Sequence, residues 1–106
     1  MSTATSGRAR EYRVRDHMTD HGWTAIMRAA ASKGAADLLM AHPLHGAALV
    51  QVGTDNKTLG PADRDRFVTA AELCGALALL ATATRTGIRY WWVTRDQPRH
   101  WAEWSL

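Results

Sequence analysis

The chain is 106 residues long, 46% hydrophobic and 22% charged, with a formal net charge of +3. That length holds one domain with one core, and the composition is globular; no apolar run approaches the about 20 residues a membrane helix needs. The single Cys74 excludes an intramolecular disulfide and the first residues lack the apolar stretch of a secretory signal, so a reducing, cytoplasmic setting is expected.

Residues 1–7 are small and polar and read as a disordered lead, leaving 8–106 as a single folded domain. From residue 8 to about 20 neither Pro nor Gly occurs, and His21-Gly22 follows, which predicts a helix. Arg8, Arg10, Arg13 and Arg15 crowd that helix. A guanidinium fork suits phosphate, which points toward a polyanion, although a solvated helix face explains any one of them equally well. Val14 and Met18 share the apolar face, and Glu11 lies on it too. Such a carboxylate either pairs at the edge with Arg15 at i+4 or points inward at a metal; spacing alone favours the first.

Residues 23–28 read as a short strand and 29–36 as a loop holding Ser32, Lys33 and Gly34. A strand then runs from Asp37 to about residue 41, residues 42–46 turn, and 47–52 return as the second strand of a hairpin. Leu38, Met40, Val50 and Val52 fall on one face and Leu39 and Leu49 on the other, so both faces need a cover. Residues 54–60 form a polar loop. Pro61 opens a second helix with Asp63 and Asp65 near its positive end. Arg64, Phe67, Val68, Ala71 and Cys74 keep helical spacing, and Gly75 ends it. Residues 76–83 and 88–94 read as strands, and a tail carries Trp101 and Trp104 after Pro98. Helix, three strands, helix, two strands predicts an α/β fold with one mixed five-stranded sheet flanked by two helices.

Asp37 and Gln51 form the most informative pair. An acid facing an amide oxygen across a hairpin suits a hard divalent cation, which takes oxygen ligands. Because side chains alternate along a strand, Asp37 meets Gln51 only if the turn has three or five residues; a four-residue turn sets it against Val52. Rival constellations are weaker. His17 with His21, and His42 with His45, come with one cysteine and make a poor zinc site. Ser32 lacks an evident base for nucleophilic work, and Ser32-Lys33-Gly34 is not a phosphate-cradling P-loop. Tyr90, Trp91 and Trp92 read as core or subunit interface before they read as a stacking platform for bases.

From about Arg8 to Thr94 the chain resembles the archaeal-type Holliday junction resolvases, within the PD-(D/E)XK nuclease superfamily. The residues that carry the resemblance are Glu11 in the first helix, Gly22-Trp23 leading into a strand that ends at Arg28, the small loop Ala31-Ser32-Lys33-Gly34, Asp37 opening the next strand, and Gln51-Val52-Gly53 where the family has Glu-x-Lys or Gln-x-Lys. The resemblance implies a restriction-endonuclease-like fold (α-β-β-β-α-β-β) and a Mg2+- or Mn2+-dependent endonuclease that resolves branched DNA such as a four-way junction. It implies metal ligation by Glu11, Asp37 and Gln51, with Ser32 near the scissile strand. Arg8, Arg10, Arg13, Arg15, Arg28, Lys33 and Lys57 are the matching candidates for contact with DNA phosphate.

Gly53 stands where that family has a lysine, and Lys33 and Lys57 are the only lysines that could replace it. A homodimer follows from the implied substrate, because two symmetric cuts need two sites related by a two-fold axis. Two other functions stay open on the residues: a DNA-binding protein of the same fold that no longer cuts, and a protein-interaction domain using its Trp-rich end.

Overall fold

The computed structural model describes residues 3–28, 36–54 and 59–106. The elements in chain order are α1 (Thr3–Asp20), β1 (Thr24–Arg28), β2 (Leu38–His42), β3 (Gly46–Gly53), α2 (Pro61–Cys74), β4 (Leu77–Thr84), β5 (Gly87–Trp92), a 3-10 turn (Pro98–His100) and β6 (Ala102–Trp104). They build one mixed sheet in the order β1-β2-β3-β4-β5-β6. Every neighbouring pair is antiparallel except β3 and β4. A parallel pair needs a long crossover, and α2 supplies it.

This is the expected α/β architecture with two corrections. The sheet has six strands rather than five, because the Trp-rich tail pairs with β5 through Tyr90↔Trp104, Trp91↔Glu103 and Trp92↔Ala102. Arg89 pins that strand with two bonds to the Glu103 carboxylate, at 3.1 and 2.8 Å. The first helix begins at Thr3, so the lead predicted as disordered over 1–7 is helical from its third residue. Nothing there forces a stop, since the stretch lacks proline and Gly7 costs a helix only about 1 kcal/mol.

The two apolar faces of the β2–β3 hairpin are covered as their alternation requires. On one face Leu38, Met40, Ala48 and Val50 pack with Val14 and Met18 of α1, together with Trp23, Leu79, Ala81 and Tyr90. On the other, Leu49, Ala78 and Leu80 pack with Phe67 and Ala71 of α2, with Val93 and Trp101 closing the edge. Gly75, left-handed at φ 63°, caps α2 through its N–H to the carbonyl of Glu72 and turns the chain into β4. Phe67 is completely buried and is the largest side chain so placed. Phe67→Ala is therefore expected to cost about 3–5 kcal/mol. Urea denaturation should show a lower midpoint with an unchanged slope.

One part-buried polar contact makes stability depend on pH. His17 Nδ1 and the Tyr90 hydroxyl lie 2.9 Å apart, joining α1 to β5. Burial, helped by the neighbouring His21 and opposed by Asp20, holds the His17 imidazolium acid below its ordinary 6.5. The unfolded chain therefore takes up this proton at a higher pH than the folded one, and stability falls as pH drops from about 6.5 toward the lowered value. Melting temperature should decline over that window, and His17→Gln should flatten the decline.

Candidate functional site

Of the predicted site residues, Arg28, Asp37, Gln51 and Gly53 lie where β1 ends, β2 begins and β3 ends. Arg28, the last residue of β1, pairs with Leu38, the first of β2, and Leu38 pairs in turn with Val50. The hairpin that sets this register closes on His42↔Gly46, leaving Pro43, Leu44 and His45 as its loop. Gly46 has φ +75°, as a three-residue hairpin loop requires of its closing residue. The loop is thus odd in length, but the register ends at Leu38↔Val50, and the Asp37 N–H turns to the Val50 carbonyl rather than extending the ladder to Gln51.

Asp37 is tied to β3 twice. Its N–H donates to the Val50 carbonyl at 2.9 Å, and its Oδ2 accepts from the Val52 N–H at 2.8 Å. The ladder of β2 stops at Leu38, so the carboxylate takes the place that a further strand residue would have filled on the Val52 amide. This fixes the side chain in position, half-buried, with one oxygen engaged by that amide. Gln51 is half-buried, and Gly53 is buried and pairs with Thr82 of β4.

Glu11 reaches the same end of the sheet from α1. It does not pair with Arg15, as helix spacing favoured. Its Oε1 accepts from Arg28 Nη1 at 3.2 Å, with the two side chains 19% and 29% exposed. Arg15 turns instead to Asp16 at 3.0 Å and lies 4.7 Å from the centre of the Tyr12 ring, which Arg28 also approaches at 5.3 Å. Tertiary placement decided this exchange: Arg28 arrives from a strand that packs on the helix, which the i, i+4 rule does not consider. Arg13 donates to the Thr84 carbonyl at 2.7 Å, Arg8 is exposed and Arg10 half-buried. Ser32, Lys33 and Lys57 lie outside the described residues.

Among the described residues no three His, Cys, Asp or Glu side chains group closely enough to hold a metal ion. Asp37 and Gln51 lie at the same end of the β2–β3 hairpin, where the Asp37 carboxylate is engaged by the Val52 amide, while Glu11, on α1, is held by Arg28. The histidines sit elsewhere. His42 and His45 pack against Trp23 at the far end of the sheet, with Trp104 on His45, and His17 stacks on Tyr90. Compared with models of known protein families and with curated proteins, the chain matches none.

Proposed function

We propose that this protein is a divalent-metal-dependent endonuclease acting on branched DNA, with a restriction-endonuclease-like fold. The observation that carries the reading is the half-buried Asp37 carboxylate at the start of β2, oriented by the Val52 amide at the end of β3 that also holds Gln51. The element order up to β5, with Glu11 arriving from the first helix, supports it further.

The donors suit Mg2+ or Mn2+, which take oxygen ligands and leave several positions to water. Asp37 and Gln51 would hold the ion, and Glu11 would join on exchanging its contact with Arg28. Such an ion supplies Lewis-acid polarisation of the phosphodiester and offsets charge on the leaving oxygen. The chain's own part is positional. Val52 holds the Asp37 carboxylate still, and Arg28 offers a guanidinium that can pass from Glu11 to a DNA phosphate as the strand arrives. Arg8 and Arg10 extend that basic surface along α1. Two such corners in a homodimer would address the two strands of a four-way junction symmetrically.

A second reading, a DNA-binding protein that has lost cleavage, is favoured by Gly53, which can neither orient water nor offset charge. The deciding assay incubates a labelled four-way junction with the protein in magnesium or manganese across a salt series. Metal-dependent cutting supports the enzyme. Salt-sensitive binding without cutting supports the second reading, and absence of both removes DNA as the substrate.

A further inference from the structure

Arg64 occupies an inward position of α2, three residues before Phe67 and seven before Ala71, in the row that packs on the sheet. The residue is only 9% exposed. Its side chain turns back along the helix toward the start, where Nη1 donates to the Leu59 carbonyl at 3.2 Å, and Nε is closed off from solvent with no partner. A guanidinium carries five N–H donors, and burying one of them without a partner is costly.

Among the described residues, nearby acids do not relieve it. Asp63 is held by Arg66 at 2.6 Å and Asp65 by Arg95 at 2.8 Å; Arg95 also takes Glu72. The helix itself adds to the burden, because the first turn is the positive end of the dipole. The cap residue is Gly60, and no side chain caps the first turn. A buried cation and an uncapped helix start therefore face the same place, and both call for negative charge.

The geometry points to an anion site at the start of α2, in which Arg64 and the amides of the first turn hold a phosphate group. Phosphate fits because its tetrahedral oxygens match both a guanidinium fork and a helix N-terminus. The site lies past the carboxyl end of β3, at the mouth of the parallel β3–α2–β4 unit, where open α/β sheets bind their ligands. It thus adjoins the end of the sheet that carries Asp37 and Gln51. Assigning the phosphate to a DNA backbone rests on the proposed function; free inorganic phosphate has the same chemistry.

Thermal melts in inorganic phosphate and in chloride at matched ionic strength test the site, using the whole chain and its Arg64→Met and Arg64→Lys variants. Phosphate should raise the melting temperature of the unaltered protein by on the order of 3 °C or more at tens of millimolar. Arg64→Met should lose that increment while remaining folded in chloride, and Arg64→Lys should keep part of it. If Arg64→Met does not fold, Arg64→Gln serves, with the same loss expected. An equal phosphate increment in the variants, or none in the unaltered protein, overturns the site. Junction binding tests the source. Arg64→Met should lower the salt slope by about one. A phosphate increment with an unchanged slope overturns the DNA assignment, and one with no junction binding by any variant overturns the proposed function while leaving the anion site standing.

Discussion

Asp37→Asn is expected to reduce metal-dependent cleavage of a four-way junction by at least about a hundredfold while leaving the fold intact. Asparagine is the informative change because Asp37 has two roles that must be separated. Its Oδ2 accepts the Val52 N–H at 2.8 Å at the point where the β2 ladder ends. Asparagine keeps an oxygen for that amide and removes the negative charge a divalent ion requires. Alanine removes both, and the orphaned amide would cost about 1–3 kcal/mol by itself. Lost cutting with Asp37→Asn, at a melting temperature close to that of the unaltered protein, assigns the loss to chemistry. If Asp37→Asn cuts as fast as the unaltered protein, Asp37 is only a strand-end acceptor and the metal reading of this corner fails. Junction binding measured alongside should change little, since the arginines proposed to contact phosphate are untouched.

Much of this corner was legible because it depends on parity. The alternation of Leu38, Leu39 and Met40 on one strand and Leu49 and Val50 on the other fixed which side chains share a face, and the two covering helices follow from it. Parity also reduced an Asp37–Gln51 pairing to a question of turn length; the loop is odd, yet the ladder ends at Leu38↔Val50 and the Asp37 N–H bonds Val50, one residue short of Gln51. What stayed illegible depends on contacts between distant segments. Glu11 finds Arg28 seventeen residues away, and no helical rule anticipates that pairing. β6 is three residues long, too short to show a period, and owes its existence to β5 beside it. Arg64 was visible as a helical position among apolar neighbours. Its isolation depends on Arg66 and Arg95 having claimed the local acids, which only the folded chain reveals.

The complementary expectation is a gain. Gly53→Lys should raise cleavage by about a hundredfold or more, the scale on which a single transition-state donor acts. Gly53 lies two residues beyond Gln51 on β3, hence on the same face of the strand. Its backbone permits the change: among the described residues the glycines with left-handed φ are Gly22, Gly46, Gly75 and Gly87, and Gly53 is not among them. The position is buried and pairs with Thr82 of β4, so a lysine there acts only if its stem carries the ammonium out to the attacked phosphate. Gly53→Met supplies the stem without the charge and separates packing from chemistry. A gain with lysine alone means that the corner is assembled and lacks only a cation near the attacked phosphate. If the unaltered protein already cuts fast and lysine adds nothing, another cation fills that role, and Lys33→Ala or Lys57→Ala should then abolish cutting. If neither the unaltered protein nor Gly53→Lys cuts a junction that both bind, the missing lysine is not what separates this chain from a nuclease, and binding is its function.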